Sequence, residues 1–282
     1  MHMKVAAVTG ANSGMGKSVA LVLANSGMHV VMLCRNEKRG KEALSYIEQH
    51  KKNGSVELQL CDLGSLSSVK QAAEALKQKH STIDVLINNA GVVCPKRQET
   101  EDGFEMQMGV NHLGHFLLTN LLLDHIKQSK DGRIIVVSSG AHEWAHFYEK
   151  DPHLHEGYNV AKGYGQSKLC NLLFVNELKE RVAGTNVSVF AMHPGAVSTN
   201  LGVDRGSGFG KAIHTLLRPF FLTPREGADT MIYLALSDRV KKDAGNYFIK
   251  RKVSKPARTA LSREVALKCW SWSEKQTGLH QL

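Results

Sequence analysis

Two tyrosines in this 282-residue chain stand four positions before a lysine, Tyr158 before Lys162 and Tyr164 before Lys168. On a helix that spacing puts both side chains on one face, where an ammonium favours the phenolate of a group whose free pKa of about 10 is otherwise too high for work near neutrality. Such a pair suits proton transfer to or from an alcohol or carbonyl oxygen, and a second hydroxyl aimed at that oxygen would meet the charge that develops there. Nearer the start, Thr9-Gly10-Ala11-Asn12-Ser13-Gly14-Met15-Gly16 separates an apolar run from a helical pattern. Glycines in that position let the backbone turn sharply and approach a pyrophosphate, whose charge is met by amides at the helix N-terminus.

Spacing alone does not separate the two tyrosine pairs. Leu169, Leu172, Leu173 and Val175 continue a helix directly from Lys168, whereas Gly163 and Gly165 are expected to interrupt one begun at Tyr158. Tyr164 is therefore the expected acid–base residue, and Tyr158 a pocket wall or surface residue.

The elements that must position these groups follow from hydrophobic period. Strands are expected at 4–8, 29–33, 56–60, 83–87, 133–137, 187–191 and 246–249. Between them lie a glycine-rich turn and helix over 10–27, a helix capped by Asn36 with Ala43, Leu44 and Ile47 inward, and one opened by Ser65 with Leu66, Val69, Ala73 and Leu76 on a face. Longer helices are expected over 104–126, 164–182 and 223–237. Strand and helix alternating at this length imply an α/β fold of three layers, one doubly wound parallel sheet of Rossmann-like form with helices on both faces, as a single domain over 1–282. Two segments break the rhythm, 142–162 and 198–219, and both belong at strand carboxyl ends, where such sheets bind ligands.

Composition narrows the classes. Hydrophobic residues make up 42% of the chain and charged residues 22%, enough to bury a core and too ordered a mixture for a disordered or collagen-like chain. The five cysteines are odd in number, scattered and without metal-ligand spacing, so they read as buried thiols of a reducing compartment. The net charge of +10 by itself permits nucleic acid, a membrane surface or an anionic small ligand. Basic residues are not interleaved with aromatic ones in the way that stacks bases, which argues against nucleic acid. The densest basic run, 250–258, reads as a solvated tail segment. No apolar run is long enough to cross a bilayer and no signal segment is evident, so a cytoplasmic location is expected, with peripheral membrane association left open but not indicated. His142, His146, His153 and His155 match no zinc array; they read as solvated loop histidines, and no metal is expected.

The motifs as a set resemble the short-chain dehydrogenases/reductases. The glycine turn matches TGxxxGxG, and Asn88-Asn89-Ala90-Gly91, Asn111, Ser138-Ser139, Tyr164-Gly165-Gln166-Ser167-Lys168 and His193-Pro194-Gly195 follow in the family's order through nearly the whole chain. The wording Tyr-Gly-Gln-Ser-Lys-Leu is similar to the retinol-dehydrogenase-like branch. The resemblance implies Tyr164 as general acid/base, Lys168 as its electrostatic partner and a ribose ligand, Ser139 as a carbonyl-orienting donor and Asn111 as part of a water-mediated proton relay. It implies cofactor contacts from Gly10, Asn12, Ser13, Gly14, Met15, Gly16, Asp62, Leu63, Asn89, Ala90, Gly91, Tyr164, Lys168, Pro194, Gly195 and Thr199. Asp62 would accept from the adenine amino group, with a helix-capping role as the competing reading. Family members also form dimers or tetramers, and the apolar helices here allow a homodimer or homotetramer, though core packing explains them equally.

The choice of cofactor is read at the end of the second strand, Leu33-Cys34-Arg35-Asn36, where no acid precedes Glu37. A carboxylate there would bind a free ribose 2′-OH; Arg35 instead offers its fork to a 2′-phosphate, which favours NADP(H) over NAD(H), unless it is a solvated helix-start residue. Met15 stands where some NADP-preferring relatives carry a basic residue, and Ser13 could supply a second phosphate contact. The expected activity is hydride transfer between nicotinamide and the carbonyl/alcohol group of a lipophilic small molecule, a retinoid, steroid or xenobiotic by analogy. The alternative is a non-catalytic NADP(H)-binding redox sensor. Ser139 and Tyr164 are separated by more residues than in most of the family, and Trp144, Phe147 and Tyr148 in that insertion either wall an apolar pocket or pack the loop to the body. Trp270 and Trp272 cap the pocket, dock on a partner or touch a membrane; the sequence leaves these open.

Overall fold

A computed structural model describes residues 3–195 and 223–279. Seven parallel strands, β1 (Val5–Thr9), β2 (His29–Cys34), β3 (Ser55–Leu60), β4 (Val85–Asn88), β5 (Gly132–Val137), β6 (Val187–His193) and β7 (Tyr247–Ile249), join an antiparallel β8 (Lys252–Ser254). They form one sheet in the order β3-β2-β1-β4-β5-β6-β7-β8, whose direction of growth reverses between β1 and β4. This is the doubly wound α/β sheet expected, with its switch point beside the glycine turn.

Burial on both faces explains why the strands read as nearly continuous apolar runs. Side chains alternate across a strand, so Val5, Ala7, Val31, Leu33, Leu86, Ile134, Val136 and Val189 enter one core layer. Their neighbours Ala6, Val8, Val30, Met32, Ile87, Ile135, Val137 and Phe190 enter the other. The second layer is covered by α1 (Gly14–Asn25), α2 (Glu37–His50) and α6 (Pro224–Leu236). The first is covered by α3 (Leu66–Lys79), α4 (106–127), α5 (Val160–Arg181) and α7 (Arg263–Thr277). Caps delimit several helices as their sequences suggest: Asn36 accepts from the Arg39 amide, Ser65 from that of Ser68, and Thr223 and Glu226 close a capping box before Pro224.

The elements of the fold depart from expectation, or settle what the sequence leaves open, in four places. First, α5 starts at Val160, capped by Asn159, and runs through Gly163 and Gly165 without a break. Both glycines serve close packing: a Cβ on Gly165 would stand 3.0 Å from the Ala141 carbonyl oxygen, and one on Gly163 would run into the Gln107 amide. Second, α4 passes from Met106–Met108 through a π turn at Gly109–Leu113 before Gly114–Lys127. Third, the basic run over 250–258 is no free tail; Lys250 and Arg251, at φ 49° and 61°, make the tight turn from β7 into β8. Fourth, the C-terminal segment is core. Trp270 is buried, edge-on to Phe116 at 4.9 Å and stacked near Phe174 at 5.7 Å, which joins α7 to α4 and α5. All five cysteines are free and buried. Among the described residues no helix is long and apolar enough to cross a membrane.

Candidate active site

The carboxyl ends of β1, β4 and β5 converge where the glycine turn begins. Gly10 and Gly14 adopt φ of 66° and 54°, the left-handed region that other residues avoid. Gly16 is needed for a different reason: a Cβ there would fall on the Gly10 carbonyl oxygen and stand 2.7 Å from Asn89 Nδ2. The turn is pinned from the neighbouring strand. Thr9 Oγ1 accepts from the backbone amides of Asn89 at 2.9 Å and Ala90 at 3.0 Å, and Asn89 Nδ2 donates to the Thr9 carbonyl at 2.8 Å.

His115, which the sequence reading did not single out, completes this lock from α4. Its Nδ1 donates to the Asn111 carbonyl at 3.0 Å, so its Nε2 is the acceptor of a hydrogen bond from the Thr9 hydroxyl at 2.9 Å. Complete burial holds the ring neutral, pushing its pKa down to about 3. A helical period with His115 four residues after Asn111 was the one signal available.

Asn111 lies in the π turn of α4. Its side-chain oxygen accepts from the Val92 amide at 2.7 Å, and its Nδ2 donates to the Val92 carbonyl at 3.1 Å and to Ser167 Oγ at 3.0 Å. These bonds tie the segment after β4 to α5. Lys168, one residue on, is buried, with Nζ donating to the Val137 carbonyl at 3.1 Å and lying 5.7 Å from the Tyr164 ring centre. Both Asn111 and Lys168 face Gly91, whose Cβ would be 3.4 Å from Asn111 Oδ1 and 3.6 Å from Lys168 Nζ.

The electrostatics differ from the simple expectation. Burial pushes the Lys168 amine down to about 8. Burial also raises the Tyr164 phenol above its ordinary value, and the nearby Ser139 side chain pulls it back only in part. The lowering expected from Lys168 is therefore not seen in this arrangement: its amine is turned to a backbone carbonyl and both groups are desolvated. Tyr158 is elsewhere. It precedes the α5 cap, donates to the Cys94 carbonyl at 2.5 Å and accepts from Gln107 Nε2 at 2.9 Å, and burial takes its phenol to about 12. That bonding sets it apart from Lys168 and Ser139.

Ser139 begins the insertion at the end of β5, its Oγ accepting from the Ala141 amide at 3.3 Å. His142 then holds it from behind, donating through Nδ1 to the Ser139 carbonyl at 2.6 Å and accepting the Ala257 amide on Nε2 at 3.2 Å. The solvated reading of His142 is thus overturned, because the ring is fully buried. His153 is corrected likewise: it is half-buried, stacked on Phe104 at 5.4 Å and tilted against Trp272 at the same distance. Phe147 packs edge-on to Trp272 at 5.8 Å, so this part of the insertion anchors the loop to the body. Trp144 is 63% exposed and lies beside Gly165.

On the cofactor side, Arg35 is exposed at the end of β2, and among the described residues its side chain makes no hydrogen bond or ion pair. Glu37, the first acid after it, pairs with Lys41. Asp62 does not cap α3, since Ser65 does; its Oδ1 accepts the Gly64 amide at 2.9 Å. Leu63 is buried with its backbone against Gly114. Asn12, Ser13 and Met15 line the glycine turn half-buried, and the Ser13 side chain makes no capping bond to α1. Pro194 and Gly195 follow β6, with Gly195 at φ 84° and its amide donating to His193 Nδ1 at 3.4 Å. Thr199 and the loop over 198–219 lie outside the described residues.

These residues fit a dinucleotide. The turn is a cradle that a Cβ would fill, the first amides of α1 have no side-chain cap, and Asn89 Oδ1 is buried without a partner among the described residues. The comparisons agree on ancestry. The family model described as short chain dehydrogenase matches residues 4–208. Retinol dehydrogenase 14 of Mus musculus is 42% identical over 99% of this chain and 87% of its own length, and retinol dehydrogenase 13 of Homo sapiens is 41% identical over 98% and 85%. Among solved structures, an uncharacterized protein from Mycobacterium Paratuberculosis superposes with a TM-score of 0.79 at 33% identity, covering 98% of this chain and 93% of that one. The chain belongs to the short chain dehydrogenases, within their retinol-dehydrogenase-like branch, and is an oxidoreductase of the alcohol/carbonyl couple.

Proposed function

We propose that this chain is an NADP(H)-dependent oxidoreductase that moves a hydride between nicotinamide and the carbonyl/alcohol group of a lipophilic small molecule, with a retinoid as the first candidate. The observation that carries the reading is the meeting of Tyr164, Ser139, Lys168 and Asn111 at the carboxyl end of β5, across Gly91 from the glycine turn. The nicotinamide, when bound, supplies or takes the hydride. Gly10, Asn12, Ser13, Gly14, Met15 and Gly16 would hold the pyrophosphate, Asp62, Leu63, Asn89, Ala90 and Gly91 the adenosine side, and Pro194, Gly195 and Thr199 the nicotinamide side. The exposed Arg35 fork, with Glu37 engaged by Lys41, supports a 2′-phosphate contact.

In the direction of reduction, the Tyr164 hydroxyl gives its proton to the carbonyl oxygen and the Ser139 hydroxyl donates a hydrogen bond to it. Lys168, with its amine near 8, takes up or releases a proton close to neutral pH and would hold the ribose. Both Asn111 Nδ2 hydrogens are taken by Val92 and Ser167, and its Oδ1 accepts once, from Val92, so what the side chain would offer a relay water is an acceptor lone pair. The retinol named for its relatives is a long apolar alcohol, and the exposed Trp144 beside Gly165 supplies an apolar wall for such a chain.

The test is NADPH oxidation against aldehydes and ketones graded in size and apolarity, retinal among them, with Tyr164→Phe alongside. Loss of a general acid lowers turnover by about 10²–10⁴-fold, and NADPH binding is expected to persist. Undiminished turnover in the variant would remove Tyr164 from the chemistry and make Tyr158→Phe the next variant.

A further inference from the structure

At the opposite end of the sheet from the glycine turn, His29, Glu57 and His80 bring three ligand atoms within 4.8 Å of one another. His29 opens β2, Glu57 lies on the edge strand β3 and His80 follows directly after α3. They are far apart in sequence, so no spacing rule flags them.

Three observations concern the gap between them. His80 Nε2 is 3.0 Å and His29 Nε2 3.6 Å from the same oxygen, Glu57 Oε1. Zinc with bonds of about 2.0–2.1 Å in a tetrahedron separates its ligand atoms by about 3.3–3.4 Å, which these two distances bracket. His29 Nδ1 lies 2.6 Å from Ser55 Oγ, a hydroxyl placed to accept the imidazole proton on Nδ1, the tautomer that turns the Nε2 lone pair toward the gap. That Nε2 is buried, has no hydrogen-bond partner among the described residues and stands too far from the carboxylate for a hydrogen bond. In that tautomer the lone pair faces a carboxylate oxygen, and a cation between the two satisfies both.

We propose that His29, Glu57 and His80 form a zinc site with three protein ligands and water as the fourth, which staples the end of α3 to the edge of the sheet. Two imidazoles and one carboxylate select a borderline transition-metal ion over magnesium or calcium, whose ligands are oxygens. Zinc takes the place of the hydrogen between His80 Nε2 and Glu57 Oε1. Ser55 is the outer partner that fixes the His29 tautomer, the role a second hydrogen bond plays for metal-ligating histidines. Lys79 holds the other oxygen of Glu57 at 3.2 Å, leaving Oε1 for the metal while its charge weakens the site.

The experiment is calorimetric titration of the chelator-treated full chain with zinc chloride, repeated with cobalt(II) for its tetrahedral absorption bands. One ion per chain, a tetrahedral cobalt spectrum and a raised melting temperature are expected. His80→Gln and Glu57→Gln should each abolish the saturable event, with unchanged far-ultraviolet circular dichroism showing that the chain still folds. Ser55→Ala should weaken binding by about tenfold or more, and Lys79→Met should tighten it. No saturable binding, or binding that both His80→Gln and Glu57→Gln retain, would overturn the site.

Discussion

The two sides of the candidate active site are built from different materials. The glycine turn depends on backbone shape: the absence of side chains at Gly10 and Gly16 permits the fit, and the Thr9 and Asn89 side chains fasten it to backbone amides and a carbonyl across adjacent strands. The Ser139 side is held by single side chains reaching far along the chain, His142 to Ala257, His153 to Gln276 and Phe147 to Trp272. A turn whose fit needs side chains to be missing tolerates little change. A site suspended from separate side chains can be retuned one contact at a time, which suits the half that must meet a substrate.

The largest effect should follow from disturbing the backbone side. Gly16→Ala places a methyl on the Gly10 carbonyl and against Asn89 Nδ2, so the turn must open. Overpacking of this kind destabilises by about 1–3 kcal/mol, and the variant is expected to lose NADPH binding while the Trp270 cluster keeps its near-ultraviolet circular dichroism. Normal NADPH affinity would show that the turn is more forgiving than its geometry. Arg35→Ala, on the same side but at a side chain, should do less. A charge-assisted hydrogen bond is worth about 1.5–3 kcal/mol, so NADPH affinity should fall by roughly tenfold or more while NADH affinity holds. Equal losses for both cofactors would show that Arg35 does not read the phosphate.

The same contrast explains what was legible beforehand. The strands, the Asn36 and Ser65 caps and the glycine turn rest on residues within one strand–helix unit, so period and local chemistry are sufficient. Gly163 and Gly165 misled, because glycine inside a helix normally argues for a break, and here the neighbours are Gln107 and Ala141, distant in sequence. The burial of His142 and His153 was illegible for that reason too: their partners come from residues more than a hundred positions away or from another element. The rise in the Tyr164 phenol shows the limit of spacing. Four positions on a helix place Lys168 near the ring, but where its amine turns is decided by the Val137 carbonyl and by burial.

The finest test of the comparison lies at His142, whose two ring nitrogens do separate jobs. An asparagine amide can take the place of Nδ1 and keep the donor to the Ser139 carbonyl, whereas a glutamine amide reaches the place of Nε2 and keeps an acceptor for the Ala257 amide. His142→Asn should therefore preserve turnover better than His142→Gln, with the difference about two- to tenfold, the kinetic equivalent of one hydrogen bond's net worth. Both variants should melt lower than the parent, since each leaves one buried polar group unpaired. The split is expected in kcat, because Ser139 acts on the oxygen during the reaction, with KM for NADPH unchanged. Equal kcat in the two variants, with equal losses of melting temperature, would reduce His142 to a packing residue. The Ser139 side would then owe its position to β5, and be as much a product of backbone as the glycine turn opposite it.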